Sequence, residues 1–196
     1  MKQTTAATRR HRKVSSDQRI GRDDWVWAGL ELLANGGIDA VRVEPLAAHL
    51  GVTKGSFYWH FADRAALHAA MLEAWRGRST NEIIERVEAG TGSGAERLKR
   101  LVALVTSNKM APRLETAIRA WATTSSQVAR VLADVDRGRL DYVTQLLIAS
   151  GLGPTLAKAR ANFLYLALIG SFFADRSTVL ASDSKLWRNF TKTILR

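Results

Sequence analysis

Thr53, Lys54, Gly55, Ser56, Tyr58, Trp59 and His60 stand within eight residues, a run rich in donors and aromatic rings and free of acids. Hydroxyls and a lysine in such a run can reach phosphate oxygens or base edges. A tyrosine can bond a phosphate while its ring lies along a groove wall. The remaining reactive side chains form no catalytic or metal-binding constellation. His11, His49, His60 and His68 are scattered, with no carboxylate or second histidine at metal spacing, and cysteine is absent. Disulfides and thiolate-based metal or redox chemistry are thereby excluded. The chain has no nucleophile elbow, Walker-type loop or paired-carboxylate motif, so it reads as a non-enzyme that needs no cofactor.

To present its donors outward, the run needs a helix held against another at a sharp turn. Ala47, Gly51 and Phe57, at offsets of four and ten, supply the parts. A small residue lets the helices touch, a glycine takes positive φ at the turn, and a large apolar side chain plugs the inner face beside Val52. Pro45 fits the first turn of the preceding helix, where a missing N–H costs nothing, and Leu46, Ala47 and Leu50 form its apolar face. Thr53 is placed to cap a helix over 54–60. Upstream, Trp25, Val26, Ala28, Leu30, Leu32 and Leu33 predict a helix over 23–35, with Asp23 and Asp24 in its first turn and Gly36 and Gly37 at its end. Downstream, Asp63 caps a longer helix through Leu67, Met71, Leu72 and Trp75, continuing toward Val87.

The run from Gly37 to Leu67 resembles the DNA-binding domain of the tetracycline-repressor (TetR) family. Gly51-Val52-Thr53, Tyr58, His60-Phe61 and Leu67 match its signature, within a resemblance that starts near Arg19 and ends by residue 80. Arg42 stands where the family commonly has threonine, so a guanidinium replaces a hydroxyl at the start of a helix. Leu50 and Arg64 stand where alanine and lysine are common. The resemblance implies an all-α protein in three parts: a basic tail (1–18), a three-helix helix-turn-helix DNA-binding domain (19–79), and a helical effector-binding and dimerisation domain (80–196). It implies a sequence-specific transcriptional regulator, a ligand-responsive repressor bound as a homodimer to a palindromic operator in double-stranded DNA. Its further partner would be a small-molecule effector, and its place of action the cytoplasm. The DNA contacts fall to Arg42, Thr53, Lys54, Gly55, Ser56, Tyr58, Trp59 and His60.

Beyond Ala89–Gly94 (AGTGSG), a linker by composition, the pattern stays helical. Leu98, Leu101, Val102 and Val105 make one stripe, and Pro112 opens a helix holding Leu114, Ile118 and Trp121. Val128, Val131, Leu132 and Val135 begin a long helix that continues through Val143 and Leu147. Gly151–Pro154 breaks it. A helix over 155–174 follows, apolar nearly all round from Phe163, and Leu186, Phe190 and Ile194 mark a last one. By the resemblance, the central helices enclose an effector pocket, assigned to Met110, Arg119, Trp121, Leu147 and Phe163. The last two helices form a four-helix dimer interface, assigned to Phe172, Phe173, Trp187, Phe190 and Ile194. On the residues alone, Trp25, Trp27, Trp75 and Trp187 read as core, and Trp121 as core ahead of pocket. Glu115 and Arg119, spaced i,i+4, form either a surface pair or a site where Arg119 meets an effector's carboxylate. Arg137 and Asp141 read as a solvated pair.

At 196 residues, 46% hydrophobic and 24% charged, the chain has a globular composition and the length for a sizeable core. The formal net charge of +11 suggests a polyanionic partner. Residues 1–22 carry seven basic residues against Asp17 alone, whereas residues 23–64 carry three against six acidic ones. The motif therefore singles out the reading segment where charge does not, and the tail is either solvated or grips phosphates. The N-terminal run MKQTTAATRRHRKVSS lacks the apolar core of a secretory signal. The most apolar stretch, 163–174, falls short of the roughly 20 residues that cross a bilayer, so no membrane partner is expected. A non-specific architectural DNA binder and an activator are the rival readings.

Overall fold

The structure is a computed structural model and describes residues 20–107, 111–174 and 184–196; the basic tail expected over 1–18 lies outside them. Among the described residues every regular element is helical. In chain order these are α1 (Arg22–Gly36), a 3-10 turn (Ile38–Ala40), α2 (Val43–Leu50), α3 (Lys54–Phe57), α4 (Arg64–Arg76), a π-helical turn (Gly77–Asn81), α5 (Glu82–Glu88), α6 (Gly94–Ser107), α7 (Ala111–Ala122), α8 (Ser126–Ile148), α9 (Pro154–Phe173) and α10 (Ser184–Ile194).

α1 begins where Asp24 Oδ2 accepts the Gly21 N–H at 2.8 Å, and ends where Gly37 donates to the Leu33 carbonyl at 2.9 Å. Trp25, Val26, Ala28, Leu30 and Leu33 are buried between these ends, and α1 packs on α2, α4 and α7. Asp63 caps α4, accepting the Ala66 N–H at 2.7 Å. The rod expected from Asp63 toward Val87 is present, but it is interrupted by the π turn. There the Ser79 hydroxyl donates to the Trp75 carbonyl at 2.5 Å, drawing an acceptor away from the α-helical ladder.

The linker expected at 89–94 is a turn over 89–93 that joins α5 to α6 and ends in a close helix contact at Gly94. A Cβ built on Gly94 would lie 2.4 Å from the Leu146 carbonyl oxygen, so only glycine lets α6 approach α8 there. Arg100 ties the connection down by donating to the carbonyls of Val87 (2.6 Å), Gly90 (3.1 Å) and Thr91 (3.0 Å).

Among the described residues, two hydrophobic cores result. The first joins Trp25, Leu33, Phe57, Leu67, Met71 and Trp75 to Ile118, Trp121, Val128 and Val135. The second gathers Leu98, Val102, Leu146, Leu147, Ala161, Leu164, Trp187 and Ile194. Each large side chain fully removed from water contributes roughly 1.5–3 kcal/mol. The first core crosses the boundary expected between residues 79 and 80, which itself falls inside the π turn. The N-terminal helices thus share their core with α7 and the first half of α8.

α9 turns Ala157, Ala161 and Leu164 inward and leaves Leu156, Phe163, Leu166 and Phe173 exposed. Of the residues assigned to a dimer interface, Trp187 and Ile194 are buried in their own chain's second core, and Phe190 packs against it. Phe172 is half-buried and Phe173 is exposed. The difference lies in the phase of α10, whose buried stripe is Trp187, Thr191 and Ile194 and which rests mainly on α6. None of the described helices is long and apolar enough to cross a membrane.

Candidate nucleic-acid interface and interior cavity

The turn between α2 and α3 is built as its sequence demands. Gly51 sits at φ +69°, in the left-handed region, and Val52 donates its N–H back to the Ala47 carbonyl at 2.9 Å. Ala47 and Leu46 are buried where the two helices meet. Phe57 is fully buried, edge-on to Trp25 with centroids 5.4 Å apart and stacked on Phe61 at 5.5 Å. That anchor fixes the orientation of α3. Thr53 occupies the cap position in an extended conformation, but its hydroxyl makes no capping bond and its side chain stays exposed.

α3 is shorter than the 54–60 helix expected. It closes after Phe57, and residues 58–60 continue as turns in which His60 and Phe61 both donate to the Phe57 carbonyl, at 2.9 and 3.0 Å. Gly55 at its centre weakens so short a helix. Arg42, Thr53, Lys54 and Gly55 are exposed, Ser56 and His60 half-buried, and Tyr58 and Trp59 are 62% and 88% exposed. The sequence-expected donor run is thus presented to solvent on a buried aromatic anchor.

A cavity of about 450 Å³ opens in the interior. Its walls are Trp27 and Leu30 of α1, Ser79 and Thr80 of the π turn, Ile83 and Ile84 of α5, Leu101 and Val105 of α6, Leu114 of α7, and Leu164, Leu168 and Phe172 of α9. Trp187 closes it from α10. Near its mouth the Arg78 guanidinium lies over the Trp27 ring, 4.7 Å from the centroid.

The polar end of the cavity is a network of buried ions. Arg139 donates to Thr80 Oγ1 (3.1 Å), Glu115 Oε1 (3.1 Å), the Tyr165 hydroxyl (3.4 Å) and Ser79 Oγ (3.1 Å). Arg119 forks onto Asp136 at 2.9 and 2.7 Å and also reaches Glu115 at 2.8 Å. The Tyr165 hydroxyl donates to Asp136 at 2.5 Å. Burial opposes the charge on both guanidiniums, yet the bonds and charges of Asp136 on Arg119, and of Glu115 on both, hold them more firmly protonated than usual. Burial pushes Tyr165 up to about 12; Arg139 opposes this and the Asp136 bond adds to it.

The structure moves the expected pocket residues elsewhere. Leu147 is fully buried in the second core, and Phe163 faces outward on α9. Trp121 packs in the first core, edge-on to His68 with centroids 5.0 Å apart. Arg119 lies behind the cavity within the ion network, and Met110 falls outside the described residues. Glu115 and Arg119 are no surface pair, since Glu115 is 4% exposed. Arg137 pairs with Asp134 at 2.8 Å, not with Asp141. The lining residues Glu115, Arg139, Thr80 and Tyr165 were not anticipated. A signal for Arg139 existed: with Val135 and Val143 it falls at i, i+4 and i+8 of one buried stripe, where a lone charge implies a buried partner.

Residues 27–71 match the family described as bacterial regulatory proteins, tetR family. Over 62 residues the chain is 42% identical to the class G tetracycline repressor of Vibrio anguillarum, a match covering 31% of this chain and 30% of that protein. It is 34% identical over 61 residues to the class A tetracycline repressor from transposon 1721 in Escherichia coli, covering 31% and 28%. The matched segment therefore spans less than a third of these curated relatives. Over most of its length the fold is that of solved regulators. Escherichia coli NemR in its reduced form superposes with a TM-score of 0.71 at 18% identity, covering 88% of this chain and 95% of that one. A TetR-family regulator from Streptomyces coelicolor gives 0.74 at 18%, covering 89% and 94%. The sequence likeness to the tetR family of bacterial regulatory proteins thus covers residues 27–71, the segment that holds the helix-turn-helix.

Proposed function

We propose that this protein is a ligand-responsive transcriptional repressor that binds a palindromic operator in double-stranded DNA as a homodimer. One observation carries the reading. Phe57 is fully buried while its neighbours Tyr58 and Trp59 are 62% and 88% exposed, so two large aromatic side chains are held out to solvent on a rigid support beside Thr53, Lys54 and Ser56. Such a surface suits a major groove, with hydroxyls and lysine on phosphates or base edges and rings against the groove wall. The likeness of segments of 62 and 61 residues to two tetracycline repressors supports the repressor sense.

The exposed apolar stripe of α9 supports the dimer. Phe163, Leu166, Gly170 and Phe173 recur at helical spacing on the face turned away from Ala161 and Leu164. A two-fold contact along it would place two reading heads on half-sites about 34 Å apart. The cavity supports the ligand response, because α1 and the π turn beneath the reading head form part of its wall. A molecule that prefers one placement of those elements shifts the heads together or apart. This work needs no catalytic group and no cofactor beyond the effector, and its place is the cytoplasm, where the operator is.

Selection of randomised duplexes on the purified protein at physiological salt tests the reading. Recovery of a near-palindrome is the expected result. Recovery of no consensus, with binding that collapses as salt rises, would mark an architectural binder held by its basic residues.

A further inference from the structure

Arginines in a ligand cavity ordinarily recognise carboxylates or phosphates. Here Arg139, which lines the polar end, and Arg119 behind it are already engaged, and Arg78 stands at the rim. Arg139 is bonded through all three of its nitrogens to Thr80, Glu115, Tyr165 and Ser79, and Arg119 closes a fork on Asp136 while also reaching Glu115. Two guanidiniums thus meet two carboxylates, and the polar end is neutral before anything enters. At the rim, Glu31 meets His49 at 3.3 Å and Arg78 lies over Trp27, both exposed to water, where attraction is screened. An anion placed deep in the cavity would bring an uncompensated charge among walls of Trp75, Leu101, Leu164 and Leu168.

What the polar end offers is hydrogen bonding. The Glu115 bonds to Arg119 and Arg139 both use Oε1, which leaves Oε2 as an acceptor. The Thr80 hydroxyl accepts from Arg139 and keeps its own proton to donate. We propose that the cavity takes an uncharged, largely apolar molecule with a hydroxyl or amide end group, and that it discriminates against carboxylates despite its two arginines. This inference rests on the reading of the cavity as the effector site, and adds to it the chemical class of the effector.

Calorimetric titration of the full chain with 1-decanol and with decanoate at neutral pH compares two probes of equal length that differ in end charge. Decanol is expected to bind at least about tenfold more tightly. Leu168→Trp, which fills the apolar part of the cavity, is expected to abolish decanol binding. Glu115→Gln, which leaves the polar end one positive charge in excess, is expected to turn the preference toward decanoate; if that variant does not fold, the wild-type comparison decides alone. Decanoate binding as tightly as decanol, and lost in Leu168→Trp, would overturn the inference and leave the cavity reading standing. Binding of neither probe, or decanol binding untouched by Leu168→Trp, would overturn both.

Discussion

Arg139 of α8 donates from Nε to the hydroxyl of Thr80, 59 residues away in the π turn, at 3.1 Å. The same guanidinium reaches Ser79 Oγ at 3.1 Å and lies 5.5 Å from the centroid of the Trp75 ring. One side chain of the body therefore holds the joint through which α4, the helix that follows the reading head, continues into α5. Any change in the cavity wall that displaces Arg139 acts on that joint directly.

Arg139→Met keeps most of the volume and removes the charge. Glu115 and Asp136 then share the single guanidinium of Arg119, and an unbalanced buried carboxylate is costly. The expected loss is about 3–5 kcal/mol, read from urea unfolding. Arg137→Ala breaks the pair with Asp134, whose partners are 68% and 67% exposed, and is expected to stay within about 0.5 kcal/mol of the parent. Equal effects of the two substitutions would show that the network does not hold the joint.

The reading head separates support from contact. Tyr58→Ala is expected to weaken binding to the selected operator by about 1–3 kcal/mol in fluorescence anisotropy, with unfolding unchanged, because its ring already faces water. Phe57→Ala empties a fully buried site between Trp25 and Phe61 and is expected to cost about 3–5 kcal/mol of stability. Unaltered operator affinity in Tyr58→Ala would remove that residue from the interface.

The helix-turn-helix was legible because its determinants are local. Ala47, Gly51 and Phe57 lie within eleven residues, and each has a single physical task at its position. The acids in the first turn of α1, the cap at Asp63 and the stop at Gly37 were legible for the same reason. The cavity was not, since its wall is drawn from helices between α1 and α10 that meet only in three dimensions. Phe163 was misplaced because α9 is apolar nearly all round from that residue, so periodicity carries no phase. α10 was misphased because its buried stripe contains Thr191, 1% exposed, whose hydroxyl is satisfied by the Trp187 carbonyl at 2.7 Å and so behaves as an apolar group.

Leu166→Glu tests the dimer where the side chain is 66% exposed in the single chain. Burying that carboxylate against a symmetry mate, among apolar neighbours such as Phe163 and Phe173, is unfavourable without a partner. Light scattering at micromolar concentration is expected to give a dimeric mass for the parent and a monomeric mass for the variant, with helical content retained. A variant that remains dimeric would place the contact elsewhere than the α9 stripe.

His68 links pH to the seam between α4 and α7. Its ring stands edge-on to Trp121, Nε2 is buried without a hydrogen-bond partner among the described residues, and Arg64 lies one turn before it. Burial first, and the Arg64 charge second, push its pKa below the ordinary 6.5, against a weaker opposing effect of hydrogen bonding to the Val41 backbone. The unfolded chain therefore takes up a proton at a higher pH than the native one. Above about 6.5 both states are neutral at this position, and its contribution to stability is fully present. As pH falls below that value, the unfolded state is protonated first and stability declines, levelling once the native imidazole is also charged. Urea unfolding of the parent between pH 8 and about 5 is expected to show this decline. His68→Gln cannot titrate and is expected to lose that part of the slope; a slope unchanged in the variant would assign the pH dependence to other groups.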